Sequence, residues 1–300
     1  MKIGFGIPVM GSWATPANQA RIARRAEDLG YHSVWVLQRL LNPAGQAEET
    51  YRSPVDPLIS LAYLAGQTER VRLAVAVVNM PYFSPALLAK QLTTLDLASG
   101  GRLDAGLGLG WMPEEFTASG VPYERRGARA EEFLSVLRAF WTQEIIEFSG
   151  SFYQVPPVRM DPKPVQAPHP PVLLGGSAEP SLRRAGRLAD GWVSASRADI
   201  ARIAEPIAVV KAAAQQAGRD PDKLRFVCRG VTRPGAAGQP DRRPLTGSYE
   251  EIRADVDRLA AQGVTEVFHD LNFGLRTGSG TVDASEAMDR AEEALEALAP

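Results

Sequence analysis

The chain lacks most of the features that would set it apart from ordinary globular proteins. It has 300 residues and one cysteine, Cys228, so no disulfide can form within it. The formal net charge of −2 shows no basic excess, and a nucleic-acid partner is not expected. No window approaches 18 uninterrupted apolar residues, and the N-terminus does not resemble a signal peptide. We therefore expect a cytoplasmic protein with no membrane partner.

Signatures of metal sites and of common nucleophiles are also missing. The three histidines, His32, His169 and His269, are far apart and have no cysteine or histidine at metal-ligand spacing, so no metal is predicted. The chain has no G-x-S-x-G motif, which argues against a hydrolase of that type. Cys228 follows two apolar residues, which favours a small buried residue over a catalytic thiol.

What the sequence does contain is a regular alternation of apolar, β-branched runs and amphipathic runs. Strands are predicted over residues 2–7, 33–37, 71–78, 102–107, 172–174, 192–194, 224–231 and 264–268. Helices are predicted over residues 16–29, 55–67, 85–98, 126–141, 180–189, 199–217, 249–261 and 285–298. Eight strand–helix pairs in order predict one (β/α)8 TIM barrel domain over residues 1–300, with an open doubly wound sheet as the alternative.

Two segments interrupt this alternation. Residues 144–155 predict a hairpin around Ser149-Gly150, and seven prolines follow between positions 156 and 171. This hairpin and proline-rich insertion lies between the fourth helix and the fifth strand. A second loop, residues 233–247, follows the seventh strand. Loops at that end of a barrel build the active site, so both are candidate substrate walls; a flexible surface excursion is the alternative for the second.

The stretch SGGRLDAGLGLGW, residues 99–111, has too much glycine for an ordinary strand. Its spacing differs from the G-x-G-x-x-G of a dinucleotide fingerprint. Gly106, Gly108 and Gly110 alternate with leucines and so lie on one side of a strand. They predict close approach of a flat ring or of a backbone, with simple packing against a neighbouring strand as the alternative.

Two further positions at strand ends could carry chemistry. Gly175, Gly176 and Ser177 stand between a predicted strand and a helix, where bare amides and a hydroxyl can cradle an anion. An ordinary turn with Ser177 as N-cap is the alternative. His269 and Asp270 end the eighth strand, at the catalytic end of a barrel, and are candidates for contact with substrate.

Three stretches carry a specific resemblance: ARRAEDLGYHSVWV, then TERVRLAVAVVNMPYFSPALLAKQLTTLDLASGGRLDAGLGLGW, then DPKPVQAPHPPVLLGGSAEPSLRRAGRLADGW. Together they resemble the luciferase-like monooxygenase superfamily, in its deazaflavin-dependent branch. The resemblance implies a (β/α)8 barrel that binds coenzyme F420, or FMN, at the C-terminal ends of the strands. It also implies a homodimer with a small-molecule substrate.

The resemblance further implies a non-proline cis peptide at the end of the third strand, which we map to Val77–Val78, with Asn79 next to the ring. The full set of residues that it assigns to the cofactor is Val77, Val78, Asn79, Gly108, Gly110, Trp111, Gly175, Gly176, Ser177 and Arg39. Gln38, Glu115 and His269 are candidates for contact with substrate. Gln38 departs from the branch, which usually has an acidic residue there, and an amide cannot act as a general base.

The implied activity is hydride transfer between reduced coenzyme F420 and a small organic substrate. The alternatives are an FMN-dependent monooxygenase that uses oxygen and a non-catalytic relative that binds flavin or deazaflavin. Residues 42–52, the hairpin insertion and residues 233–247 are the segments that we expect to select the substrate.

Overall fold

The structure, a computed structural model, describes residues 1–44, 55–274, 277 and 281–300. Most of the predicted substrate segment 42–52 lies outside the described residues. Within them, a closed parallel barrel is built from β1 (Lys2–Gly6), β2 (Ser33–Val36), β3 (Arg72–Val75), β5 (Leu103–Gly108), β8 (Val172–Gly175), β9 (Gly191–Val193), β10 (Arg225–Val231) and β13 (Glu266–Asp270). Pairing of β3 with β5 closes the ring, which confirms the TIM barrel and excludes the open sheet.

Helices cover the outside of the barrel. They are α1 (Pro16–Asp28), α2 (Pro57–Ala65), α3 (Pro85–Ala98), α4 (Pro113–Ala118), α5 (Arg126–Thr142), α6 (Glu179–Leu188), α7 (Ala204–Gln216), α8 (Tyr249–Ala261) and α9 (Ala284–Ala297). Side chains cap several N-termini; Thr15 accepts from the backbone of Asn18, and Ser248 forms a capping box with Glu251. No helix in the described part of the chain is long and apolar enough to cross a bilayer.

The insertions are ordered. Strands β6 (Ile146–Ser149) and β7 (Gln154–Val158) form the predicted antiparallel hairpin between α5 and β8. The loop after β10 contains two short parallel strands, β11 (Arg233–Pro234) and β12 (Thr246–Gly247). Leu245 of this loop is buried, and its N–H donates to Asp255 on α8 at 2.8 Å. The end of this loop is therefore packed on the barrel, while residues 235–241 are exposed.

A charged layer fills the barrel interior at the N-terminal ends of the strands. Asp104 is fully buried and accepts hydrogen bonds from Arg72 at 2.7 and 3.0 Å and from Arg225 at 2.8 and 3.0 Å. Arg225 also bonds Glu266 at 2.8 Å. Burial alone would raise the pKa of Asp104, but the two arginines outweigh it and hold that pKa below its usual range. The network closes this end of the barrel.

An apolar layer lies above the charged one. Trp35 and Phe268 stack with ring centroids 4.5 Å apart, and the Trp35 indole N–H donates to Ser33 at 2.7 Å. Val227 and Leu173 pack against the stacked pair. These residues alternate along their strands with residues that face the helices, so every second position of each strand belongs to the interior. The interior is thereby filled up to the C-terminal ends of the strands, where space opens.

Asp104→Asn should destabilise the fold by about 3 kcal/mol, because it removes a fully buried carboxylate that two partly buried guanidinium groups share. Urea unfolding at pH 7 measures this. Because the pKa of Asp104 is lowered in the fold, the difference between wild type and variant should shrink as pH falls through that pKa. The control is Glu205→Gln, which breaks the exposed pair Arg202–Glu205 (2.6 Å) and should change stability by about 0.5 kcal/mol at most. Equal effects of the two substitutions would contradict the assignment.

Candidate functional site

The third barrel strand is interrupted where it reaches the C-terminal end. Strand β3 stops at Val75, the Ala76–Val77 peptide bond is cis, and pairing resumes in β4 (Val78–Asn79), which lies beside β5. The prediction of a non-proline cis bond is confirmed, but its placement at Val77–Val78 is wrong by one residue. The alternation AVAVV offers several equivalent positions, and spacing to the following prolines does not fix the register among them.

The glycines of β5 make room for this interruption. A Cβ added at Gly106 would lie 1.7 Å from the carbonyl oxygen of Val75, and one added at Gly108 would lie 2.3 Å from Cγ2 of Val77. No side chain fits at either position. The glycines therefore admit the backbone and side chain of the third strand's exit, which confirms the predicted close approach of a backbone. Val77 is thereby turned into the barrel interior.

A cavity of about 380 Å³ opens above Val77, within the size range of small-molecule sites. The structure brings most of the predicted residues to its wall: Gln38, Arg39, Val77, Asn79, Gly108, Gly110, Trp111, Gly175, Gly176 and Ser177 all line it. Trp111 is 57% exposed and stands at the rim, with the Arg39 guanidinium 4.6 Å from its ring centroid. These residues thus converge on one space from the ends of four barrel strands: β2, β3 with its continuation after the break, β5 and β8.

Three predicted residues do not line this cavity. Val78 is fully buried in the apolar core, because its side chain points away from the barrel interior. His269 alternates with the inward-facing Phe268 and Asp270, so it faces the helices, where its Nδ1 lies 2.9 Å from the Thr232 hydroxyl. Burial lowers the pKa of His269 to about 4 and keeps it neutral.

Glu115, the third, is buried beneath the rim. It lies on α4, a helix that the sequence analysis missed, and its carboxylate accepts from the Tyr82 hydroxyl at 3.0 Å and from the Leu40 N–H at 2.7 Å. Arg39 lies 3.3 Å from the same carboxylate. Burial, followed by the charge of Glu115, raises the pKa of Tyr82. Glu115 therefore positions Arg39 under Trp111 and does not itself line the cavity.

Gln38 has a structural partner. Its side-chain oxygen accepts from the Asn79 N–H at 2.7 Å, which ties the exit of β2 to the short strand β4. An amide oxygen performs this task as well as a carboxylate oxygen would. The departure from the branch pattern therefore preserves the geometry of the cavity floor while removing a titratable group.

Arg229 is the main residue that sequence reasoning missed. It lies on β10, and its Nε donates to Asp270 at 2.8 Å while Nη1 donates to the Ala76 carbonyl at 3.2 Å. That carbonyl belongs to the cis peptide bond, so Arg229 fixes the floor of the cavity from across the barrel. The available signal was an arginine at an inward-facing position of the apolar run FVCRGV. Cys228 beside it is buried, and burial raises its pKa to about 12, as expected for an inert thiol.

The turn after β8 has the features of an anion cradle. Gly176 has φ +128, and a Cβ there would lie 2.7 Å from Cβ of Ser181, so the turn requires glycine. The N-cap of α6 is Ala178, and Ser177 is exposed beside it. Pro180 has no N–H and the Ser181 N–H donates to the Ala178 carbonyl at 2.8 Å, so the amides that the turn offers are those of residues 177–179. Arg126, at the start of α5, lines the same cavity. Amides, hydroxyl and guanidinium together suit a phosphate.

These residues fit a flat cofactor that carries a phosphate. The interruption at Val77 supplies an apolar floor, the Gly176 turn supplies the cradle, and Arg229, paired with Asp270, holds the floor in place through the Ala76 carbonyl. Among the described residues of the cavity wall, the charged side chains are arginines alone. The wall thus offers binding and orientation but no general acid or base of its own near neutral pH.

Comparison with known proteins agrees with this geometry. The family model for luciferase-like monooxygenases matches residues 3–266. The chain belongs to the luciferase-like monooxygenase family.

Among its relatives, an uncharacterized protein of Mycobacterium tuberculosis is 36% identical over 275 residues, which cover 83% of this chain and 93% of that protein. An FMNH2-dependent dimethylsulfone monooxygenase of Pseudomonas putida is 36% identical over 184 residues, 60% of this chain and 49% of that enzyme. A coenzyme F420 dependent tetrahydromethanopterin reductase from Methanopyrus kandleri shares the fold, with a TM-score of 0.78 and 17% identity over 100% of this chain and 98% of that one. The chain thus has an FMNH2-dependent relative by sequence and shares its fold with a coenzyme F420 dependent reductase.

His269 should make this luciferase-like barrel less stable in mild acid. Its pKa in the fold is about 4, whereas a histidine in the unfolded chain has its ordinary pKa of about 6.5. Between these two pKa values the imidazole is protonated in the unfolded state and neutral in the folded state. The free energy of unfolding should therefore fall by about 2 kcal/mol between pH 7 and pH 5 from this residue alone. Urea unfolding of wild type and His269→Gln at both pH values measures the contribution of His269 to this loss of stability. Identical pH dependence in the two proteins would contradict it.

Arg229 and Asp270 should behave as a coupled pair. Either single substitution, Arg229→Gln or Asp270→Asn, should cost about 3–5 kcal/mol, because it leaves a buried charge unpaired. The double variant should cost clearly less than the sum of the two. Urea unfolding of all four proteins completes the cycle, and additive losses would show that the 2.8 Å contact carries no coupling.

Proposed function

We propose that the protein is a coenzyme F420-dependent oxidoreductase that moves a hydride between the deazaflavin and a small organic substrate. The observation that carries the proposal is the character of the cavity wall: an apolar floor, a phosphate cradle and arginines, with no titratable acid or base near neutral pH among its described residues. Bound deazaflavin supplies or accepts the hydride at its C5 carbon, and such transfer needs no protein nucleophile.

The chain's own residues would bind and orient the cofactor. Val77 supports one face of a flat ring, and Arg229 keeps that support in place through the Ala76 carbonyl. Ser177 and the amides that follow it hold the phosphate. Trp111 covers the rim and limits access of water, so the acceptor carbon meets the ring in a fixed orientation.

FMN-dependent oxygenation is the second candidate, and one observation favours it. The Pseudomonas putida relative at 36% identity is FMNH2-dependent, although this chain spans about half of that enzyme's length. Both cofactors carry a flat ring and a phosphate, so the same wall suits either. They differ in chemistry, because the deazaflavin has carbon at position five, transfers electrons in pairs and reacts poorly with oxygen.

Anaerobic titration of the purified protein with coenzyme F420 and with FMN, followed by fluorescence quenching, tests the choice. We expect tighter binding of F420, oxidation of its reduced form by an organic acceptor, and no oxygen consumption. Tight FMN binding together with oxygen consumption would overturn the proposal in favour of the monooxygenase. Tight binding of reduced F420 without turnover across a broad acceptor panel would instead indicate a non-catalytic relative.

Ser177→Ala should weaken binding of F420 about fivefold, because it removes one hydroxyl hydrogen bond to the phosphate. Binding of the phosphate-free deazaflavin chromophore should not change. Ser135→Ala is the matched control, because the Ser135 hydroxyl donates to the backbone carbonyl of Glu131 on the exposed side of α5. Equal losses for both ligands with Ser177→Ala would show that the Gly176 turn does not hold the phosphate.

A further inference from the structure

A second cavity adjoins the first at the C-terminal ends of β9, β10 and β13. Its volume is about 660 Å³, and it shares Ser196 and Arg229 with the cofactor cavity, so the two spaces are neighbours across those side chains. One wall is apolar and contains Ile200, Val231 and Phe273. The other wall is cationic.

The cationic wall is built by the loop between β10 and α8. Arg233 and Arg243 from this loop line the cavity, and among the described lining residues they face a single carboxylate, Asp199. Arg229 contributes no net charge because Asp270 pairs with it. The cavity therefore carries a positive excess although the chain as a whole has a formal net charge of −2.

Neighbouring arginines of the loop have different environments. Arg242 is neutralised by Asp255 at 2.5 and 3.0 Å, and this pair fastens the loop to α8. Arg243 points the other way, into the cavity, and makes no side-chain hydrogen bond or ion pair within the described residues. Arg233 is oriented by its hydrogen bond to the Phe273 carbonyl at 3.1 Å. The loop is thus anchored by one arginine and presents two others.

We propose that this second cavity binds an organic anion as substrate, holding its carboxylate, sulfonate or phosphate group with Arg233 and Arg243. The inference rests on the proposed function, because it places the substrate beside the cofactor cavity. The body of the molecule packs on Ile200, Val231 and Phe273, and the shared Ser196–Arg229 boundary leads toward the floor at Val77. Guanidinium groups bind such oxyanions through paired N–H donors.

The cofactor's own phosphate has a separate place. The cofactor cavity contains a cradle of backbone amides at the start of α6, together with Ser177 and Arg126. In the second cavity, the arginine side chains carry the capacity to bind an anion. This division assigns the cradle to the cofactor and the arginines to the substrate.

Isothermal titration of the full chain with benzoate, benzenesulfonate, phenyl phosphate and neutral benzamide tests the proposal. We expect at least one of the three anions to bind at least tenfold more tightly than benzamide, with affinity falling as salt rises. Arg243→Gln should weaken that anion about tenfold and leave F420 and FMN affinity unchanged. Arg202→Gln, which removes one positive charge from an exposed surface pair, should change neither the affinity for the anion nor the affinity for the cofactors. The ranking of the three anions identifies the oxyanion that the site prefers.

Other outcomes distinguish failure of the anion site from failure of the F420-dependent activity. Equal binding of benzamide and the three anions would overturn the anion site and leave the cofactor proposal standing. Loss of F420 affinity in Arg243→Gln would also overturn it, because the arginines would then hold the cofactor. Anion binding that depends on Arg243, in a protein that binds neither cofactor, would support the anion site and refute the redox function.

Discussion

The close approach of the third strand's exit to β5 is the constraint on which the site depends. With the Val75 carbonyl oxygen only 1.7 Å from where a Cβ of Gly106 would lie, the two strands can meet at this depth only without a side chain. The ladder breaks there and resumes when Val78 pairs with Leu107. The break turns Val77 inward over Gly108, so one local requirement closes the barrel and also forms the floor of the cavity.

Arg229 extends that constraint across the barrel. A guanidinium at an interior position is tolerated only when its charge is paired and its donors are used. The Asp270 carboxylate supplies the opposite charge, and the Ala76 carbonyl accepts a further hydrogen bond from the guanidinium group. Arg229, whose buried charge is paired with Asp270, therefore also holds the floor of the cavity in place. Because Arg229 borders both cavities, it fixes the boundary between them.

The sequence predicted the fold well because period-2 and period-3.6 patterns repeat eight times, and each strand–helix pair supports the next. It predicted the cavity because the site of a TIM barrel lies at the C-terminal ends of the strands, and those ends can be located in the sequence. It missed α4, which has six residues and too few turns for periodicity to be visible. It could not separate His269 from Asp270, because which face of β13 points inward depends on packing such as the stack of Phe268 on Trp35. The glycines of β5 predict close approach of a ring or of a backbone without choosing between them, because their nearest neighbours, Val75 and Val77, are contacts that only the fold creates.

Charge in this protein is divided along the barrel axis, and the net value of −2 hides that division. At the N-terminal end, Arg72 and Arg225 are matched by Asp104 and Glu266, so the charges stabilise one another and offer nothing to a ligand. At the C-terminal end, arginines outnumber the carboxylates in both cavity walls among the described residues. A positive field confined to a concave, partly apolar space attracts organic anions and orients them, which an evenly charged surface would not do. The charge at this end of the barrel therefore differs in sign from the net charge of the chain, and among the described residues Arg233 and Arg243 contribute to it without an ion pair to a carboxylate.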